Sequence, residues 1–132
     1  MVSTVGDTEA GRRAVEAVYE AFNTGVAEEV QACMHFPLTI LAGDAPVIIE
    51  TPAEFGPDFD ALRRTERWQR TTLDRIEVVG ASANRVYCLV ELSRFDVDGR
   101  RYLTGTALYT AARRDGAWKV QSISTEIVPV GS

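Results

Sequence analysis

The chain has 132 residues, and 45% of them are hydrophobic, which is enough to bury one core without disulfide staples. Its formal net charge of -5 argues against the broad basic surface that binds nucleic acid or an anionic membrane. Two cysteines and one histidine are too few for a structural zinc site, and there is no glycine-rich phosphate loop. We therefore expect neither a metal nor a cofactor.

The N-terminus is polar and has no apolar run of signal-peptide length, and no later segment approaches the length of a membrane span. These features predict a cytoplasmic protein. Cys33 and Cys88 have apolar neighbours, as buried reduced thiols do. Without repeats or linkers, residues 1–132 are predicted to form a single domain, structured from about residue 10 to about residue 127.

Helices are predicted in the first half of the chain. Asp7 or Thr8 can cap the first, whose apolar residues follow helical spacing and are Val15, Val18, Tyr19 and Phe22. A short second helix ends before Pro37, and an extended segment and a short edge arm at 46–49 follow it. Residues 51–54 have the form of a capping box that starts a third helix, which Gly56 and Pro57 interrupt.

Strands fill the second half. One is predicted from Trp68 to about Val79, with a turn over residues 80–84. Three more follow over residues 85–127, joined by two Asp-Gly turns at 98–99 and 115–116, which favour two-residue hairpin loops. Helices that precede a run of strands predict an α+β fold, with the helices packed on one face of a mostly antiparallel sheet.

The two turns also predict which side chains share a face, because pairing alternates along each hairpin. The inner, mostly apolar face is expected to carry Val86, Cys88, Val90, Leu92, Arg94, Leu103, Gly105, Ala107, Tyr109, Ala111, Trp118, Val120, Ser122, Ser124 and Glu126. The outer face is polar and suits solvent or a partner subunit, with Tyr87, Glu91, Ser93, Thr104, Thr106, Thr110, Lys119 and Gln121. Pairing Val79 with Arg85 places Val78, Ile76, Asp74, Thr72 and Arg70 on the inner face.

Three segments resemble the nuclear transport factor 2-like superfamily. They are Val-Tyr-Glu-Ala-Phe-Asn-Thr-Gly at 18–25, His-Phe-Pro at 35–37 and Asp-Gly-Ala-Trp-Lys-Val at 115–120. The resemblance implies a curved sheet with helices on its concave face, a cone-shaped pocket between them, and often a homodimer. That superfamily includes acid/base enzymes and non-catalytic binding proteins, and fold alone does not choose between them.

Charged residues on the expected inner face are the first candidates for a site, because a buried charge must be paired or must shift its pKa. Asp74, Arg94 and Glu126 could share one cavity, where a carboxylate beside an arginine could move a proton. Alternatively, Arg94 and Glu126 form an ion pair at an open rim, and Asp74 lies at a solvated strand end.

Four further residues have a functional and a structural interpretation. His35 is the only histidine and could carry a proton as a third catalytic residue, or it could bond to the backbone within the core. Tyr19 and Tyr109 could offer hydroxyls to a ligand, or they could be core aromatics. Trp68 could form the floor of a pocket or gate it.

The resemblance to ketosteroid isomerases does not extend to their acids, because Leu41 stands where the catalytic base is expected and residues 107–110 contain no acid. Asp74 and Arg94 resemble the Asp-Arg-Asp set of limonene-epoxide hydrolases in residue type, but they cannot be matched to it residue by residue. Two functions stay open. One is a domain that binds a small, mostly apolar molecule in its cone, with isomerase, dehydratase or cyclase chemistry undecided. The other is a non-catalytic dimerisation or protein-interaction module.

Overall fold

A computed structural model describes residues 5–128 and 130, and side chains from residue 7 onward within that range. The helices there are α1 (Val5–Phe22), α2 (Ala27–Gln31) and α3 (Phe59–Glu66), with a 3-10 turn at Pro52–Glu54. The strands are β1 (Met34–Ala42), β2 (Ala45–Ile49), β3 (Trp68–Ser82), β4 (Arg85–Asp96), β5 (Arg101–Arg114) and β6 (Ala117–Ser124).

All six strands form one curved sheet in the order β2-β1-β6-β5-β4-β3, and every neighbouring pair except β1 and β6 is antiparallel. Helix α1 lies across β3, β4, β5 and β6, and α3 packs on β3. The predicted α+β class, with helices on one face of a mostly antiparallel sheet, is confirmed. We call the face that contacts the helices the inner face, and the opposite one the outer face.

Helix α1 is held to the sheet by the apolar stripe that its sequence predicts, since Val15, Val18 and Tyr19 are all buried. Gly11 allows an especially close approach, because a Cβ there would lie 2.5 Å from Cβ of Val86 on β4. The predicted start was late: the helix already includes Val5, so Asp7 lies within its first turn, where Oδ1 accepts from Arg113 Nη1 at 3.3 Å.

The region before α3 differs from the prediction. Residues 52–54 form a single 3-10 turn, and Oγ1 of Thr51 donates to Oε1 of Glu54 at 2.9 Å. Helix α3 starts later, at Phe59, and is capped by Asp58, whose Oδ1 accepts from the Ala61 amide at 3.0 Å. Gly56 and Pro57 therefore separate a 3-10 turn from the α-helix α3.

The register of the β4–β5–β6 meander is confirmed over most of its length. Trp118 lies opposite Arg113, as the second Asp-Gly turn predicts. The two-residue loop predicted at 98–99 was wrong, because the Asp96 amide donates to the Arg100 carbonyl and Phe95 lies opposite Arg101. A register shift beside Phe95 then restores the predicted pairing of Arg94 with Leu103. A bulge between Thr110 and Ala111 then shifts β6 by one residue and places Ile123, rather than a serine, opposite Tyr109. The prediction that Ser122 and Ser124 lie on the inner face was therefore wrong.

Strand β3 departs furthest from the sequence prediction. It continues to Ser82, so the turn to β4 contains only Ala83 and Asn84 rather than residues 80–84. Register shifts at 68–70, 73–75 and 78–80 then change the pairing along the strand. Thr72 lies opposite Ser93, and Arg70 lies opposite Phe95, on the outer face. Asp74 bonds with Ser93 there, so the inner-face placement of Asp74, Thr72 and Arg70 was wrong.

None of the helices within the described residues is long and apolar enough to cross a membrane.

Candidate functional site

Tyr19 and Tyr109 meet inside the core, between α1 and β5. Both are buried, their hydroxyl oxygens are 3.0 Å apart, and their ring centroids are 5.8 Å apart. Burial raises the pKa of each phenol above its ordinary value. Each hydroxyl therefore stays protonated, and the pair fills the part of the interior where the resemblance implies a pocket.

Trp68 is also a core residue. Its indole Nε1 donates to Oγ1 of Thr71 at 2.9 Å, and its ring meets Phe22 edge to face at 5.4 Å. Phe59 packs against both rings, at 5.3 Å from Trp68 and 4.9 Å from Phe22. This aromatic cluster fills the space between α1, α3 and β3.

His35 is buried at the start of β1, where Nε2 lies 3.0 Å from the carbonyl oxygens of Ala112 and Ala117. Because both partners are acceptors, Nε2 must carry the proton and donate to them. The histidine thus joins β1 to the β5–β6 turn and does not contact Asp74 or Arg94.

A cavity of about 1070 Å³ lies elsewhere. It lies against residues 91–94 of β4, residues 101–107 of β5 and the segment that follows β6. We call it the sheet-face cavity. It is open to the surface, and no described residue of α1, α2 or α3 lines it. The lining consists of Asp74, Glu91, Leu92, Ser93, Arg94, Arg101, Leu103, Thr104, Gly105, Thr106, Ala107, Thr125, Glu126, Ile127 and Val128.

The outer face supplies most of the polar groups of the cavity. Ser93 lies between Thr72 and Thr104 on the neighbouring strands, and Glu91 lies beside Thr106. Ser93 Oγ donates to Oδ2 of Asp74, while Thr72 Oγ1 donates to Oδ1 of Asp74 at 2.6 Å. Two hydroxyls therefore hold the exposed Asp74 carboxylate in one orientation.

Arg94 lines the cavity, but its guanidinium points to the helices. Nη1 donates to Oε1 of Glu66 at 3.1 Å, and Cζ lies 5.8 Å from the Phe22 ring centroid. Tyr102 donates to the same Glu66 oxygen at 2.7 Å, and burial together with this contact raises the pKa of Tyr102 to about 12. The partner of Arg94 is thus Glu66, and the expected pairing with Glu126 was wrong.

The segment after β6 forms the remaining wall. The Ile127 amide donates to the Thr106 carbonyl at 3.1 Å, which ties this segment to β5 beyond the end of β6. Glu126 has a φ of 60°, a left-handed conformation that turns the chain here. Its exposed carboxylate has no described hydrogen-bond or ion-pair partner, so it is available to a ligand.

The structure brings three of the seven sequence-predicted site residues to one cavity, namely Asp74, Arg94 and Glu126. His35, Tyr19, Trp68 and Tyr109 lie apart from it, in the core. The sequence assigned Ser93, Thr104 and Thr106 to the outer face but not to a site. Within the described part of the chain, no three His, Cys, Asp or Glu side chains come together as metal ligands.

Comparison with solved structures identifies the fold. A protein of unknown function with a cystatin-like fold from Nostoc punctiforme superposes with a TM-score of 0.75 at 13% identity, over 98% of this chain and 97% of that one. An NTF2-like protein from Novosphingobium aromaticivorans gives 0.73 at 16% identity, over 97% and 85%. The chain has the nuclear transport factor 2-like fold. The fold that the three sequence segments imply is thereby confirmed.

A ketosteroid isomerase-like protein from Erwinia carotovora atroseptica shares this nuclear transport factor 2-like fold, with a TM-score of 0.65 at 17% identity over 96% of this chain and 100% of that one. Identities this low establish architecture and leave function to the site itself. Neither family models nor curated protein sequences gave a match.

Proposed function

We propose that this nuclear transport factor 2-like chain is a small-molecule-binding domain whose ligand occupies the sheet-face cavity. The observation that carries the proposal is the cavity of about 1070 Å³, which combines hydroxyls, carboxylates and apolar side chains in one lining. Ligand sites are typically concave, with a few polar groups that orient the ligand among apolar ones. The sequence favoured Tyr19, Trp68 and Tyr109 as ligand-binding residues, but their aromatic side chains fill the core. This supports the sheet-face cavity as the place of the ligand.

The lining suits an amphipathic ligand rather than the mostly apolar molecule expected from sequence. Leu103 and Val128 are exposed apolar side chains in it, while Thr104 and Thr106 supply hydroxyls. For an acid/base step on such a ligand, Asp74 is the proton acceptor that we propose, because Ser93 and Thr72 fix its orientation. In this proposal Arg94 supports the site by holding Glu66 and Tyr102 behind β4 and β5.

A titration with Nile red, a neutral dye whose fluorescence reports apolar surroundings, tests the cavity. We expect saturable binding that Thr104→Trp abolishes, because an indole at this lining position fills the space of the ligand. Thr110→Trp is the matched control: Thr110 lies on the same face of β5 but outside the lining. Absence of saturable binding, or equal binding by the two variants, would contradict the proposal.

A second candidate function is homodimerisation through the outer face, and one observation favours it. Leu89 and Leu108 lie opposite each other on β4 and β5 of this face, only partly buried, beside Tyr87. An apolar cross-strand pair on an open sheet face is a common site of association between copies. Sedimentation velocity should then show a dimer that Leu108→Glu converts to monomer, whereas Ser124→Glu, opposite Leu108 on β6, should weaken it less.

A further inference from the structure

Three residues form a row across the outer face at one end of the sheet-face cavity. Arg70 on β3 lies opposite Phe95 on β4, and Phe95 lies opposite Arg101 on β5. The guanidinium of Arg70 stacks on the Phe95 ring, with Cζ 3.9 Å from its centroid. Arg101 is exposed and belongs to the lining of the cavity. The row therefore places two cations on either side of one aromatic ring.

Neither cation is neutralised in the part of the chain that the structure describes. The ion pairs of other arginines, such as Arg67 with Asp98 at 2.9 Å, account for the carboxylates of the neighbouring turn. Strands two apart in a sheet are separated by about 9.5 Å, so Arg70 and Arg101 can both reach a group that lies over Phe95. Two unpaired like charges at this spacing repel each other, and an anion between them would remove that cost.

The charges along the cavity are polarised. The arginine row stands at one end. Thr72, Ser93 and Thr104 come next, and the first two donate to the carboxylate of Asp74. Glu91 lies beyond them, and its carboxylate pairs with Arg75 at 3.4 Å. Glu126 contributes a further carboxylate from the wall after β6. A ligand with an anionic head and an uncharged body would place its head at the arginine row, because the carboxylates of Asp74 and Glu126 would repel an anion elsewhere in the cavity.

We propose that Arg101, from the lining, and Arg70, beside the lining on the same face, form the anion-binding end of the sheet-face cavity and that its ligand is a small carboxylate with an uncharged body. This inference rests on the proposed function of the same cavity. Arginine donors match the two oxygens of a carboxylate, and the Phe95 ring holds the Arg70 guanidinium flat before the ligand arrives. The uncharged part of the ligand then lies along Thr104 towards the exposed apolar side chain of Val128.

The test compares cinnamate with cinnamyl alcohol, which has the same skeleton without the charge, by isothermal titration calorimetry. We expect cinnamate to bind more tightly than the alcohol. Arg101→Gln and Arg70→Gln should each weaken cinnamate binding by about tenfold, because hydrogen bonds to a charged group are among the strong ones. Arg85→Gln is the control, since Arg85 is exposed at the other end of β4 and outside the lining.

Equal affinities for cinnamate and its alcohol, undetectable cinnamate binding, or unchanged cinnamate binding by Arg101→Gln would overturn the inference. Nile red separates this failure from failure of the proposed function. If the neutral dye still binds and Thr104→Trp still excludes it, the cavity binds ligands but does not select anions. If the dye also fails to bind, both proposals are wrong. Unchanged melting temperatures of the arginine variants would confirm that a loss of affinity is not a loss of folding.

Discussion

The side-chain amide of Asn23 pairs with the backbone of Thr71 through two hydrogen bonds. Nδ2 donates to the Thr71 carbonyl at 2.7 Å, and Oδ1 accepts from the Thr71 amide at 2.8 Å. Asn23 immediately follows α1, so this amide joins the end of the helix to β3. The contact also holds Thr71 where its hydroxyl accepts from the Trp68 indole.

Replacement of Asn23 by alanine should therefore destabilise the protein. Two hydrogen bonds of this kind together contribute about 1 to 3 kcal/mol, and the Thr71 backbone groups would be left without their partner. Urea denaturation measures the change in the free energy of unfolding. Asn84→Ala is the matched control, because the Asn84 side chain makes an exposed hydrogen bond to Arg113. Equal stabilities of the two variants would show that the Asn23 bridge contributes nothing specific.

Gly11→Ala should also destabilise the protein, although alanine is the better helix former. The new Cβ would lie 2.5 Å from two carbon atoms of the buried Val86, so α1 must move away from β4. Overpacking of this kind costs about 1 to 3 kcal/mol. A clash with a β-branched core residue belongs to the upper part of that range and outweighs the roughly 1 kcal/mol gained in helix propensity.

Gly105→Ala is the comparison for this variant. A Cβ at Gly105 would meet only Leu92, at 3.9 Å, which is ordinary van der Waals contact. Thermal unfolding should place Gly105→Ala close to the unmodified protein and Gly11→Ala well below it. A Gly11→Ala variant that melts above the unmodified protein would mean that the helix can shift without cost.

Most of the meander was predictable from sequence because local turn chemistry sets the register of its second hairpin. The Asp-Gly turn at 115–116 fixes the pair Arg113 with Trp118, whereas after the turn at 98–99 a register shift restores the predicted pair Arg94 with Leu103. Strand β3 was not predictable, because its register shifts depend on how the whole sheet curves around α1 rather than on a local residue signature. Each shift moves the following side chains to the other face, which is why Asp74 was misplaced.

The candidate site was predictable only in part, for the same reason. Asp74, Arg94 and Glu126 were selected as charges on an inner face, whereas Asp74 lines the cavity from the outer face. The wall after β6 depends on the left-handed conformation of Glu126, which a glutamate in the sequence does not predict. His35 bonds to backbone carbonyls, and Tyr19 and Tyr109 bond to each other within the core, as their structural interpretation expects. Buried polar groups usually form hydrogen bonds with one another or with the backbone.

Asp96 should give the protein a dependence on acid pH. Its buried carboxylate accepts from the amides of Asp98 at 2.9 Å and Arg100 at 3.0 Å, and the Arg100 amide contributes most to holding its pKa below the usual range. A lowered pKa in the folded state means that the stabilisation is present above about pH 4, the unfolded value, and is lost as the pH falls through the folded pKa.

We expect the free energy of unfolding in urea to decline with acid in the unmodified protein and to decline less steeply in Asp96→Asn. Asp98→Asn is the control, since that side chain is exposed and pairs with Arg67 at the end of α3. Identical acid profiles for Asp96→Asn and the unmodified protein would exclude Asp96 as the titrating group.

The buried tyrosine pair should give the protein a dependence on alkaline pH of the opposite sign. Burial raises the pKa of Tyr19 and of Tyr109 in the folded state, while in the unfolded chain each phenol titrates near its ordinary value of about 10. The unfolded state therefore releases protons first as the pH rises. The stabilisation is complete below about pH 10 and is lost progressively above it.

The double variant Tyr19→Phe with Tyr109→Phe should show a flatter alkaline stability profile. Each single variant leaves one buried hydroxyl without its partner, which costs about 1 to 3 kcal/mol, whereas the double variant removes both groups and should cost less than the sum. Burial also raises the pKa of the Cys88 thiol to about 11, so the comparison is best made with Cys88→Ala in every variant. Phenolate absorbance during urea unfolding at fixed alkaline pH measures the effect directly. Ionisation of Tyr19 or Tyr109 near pH 10 in the folded protein would show that the pair is open to solvent.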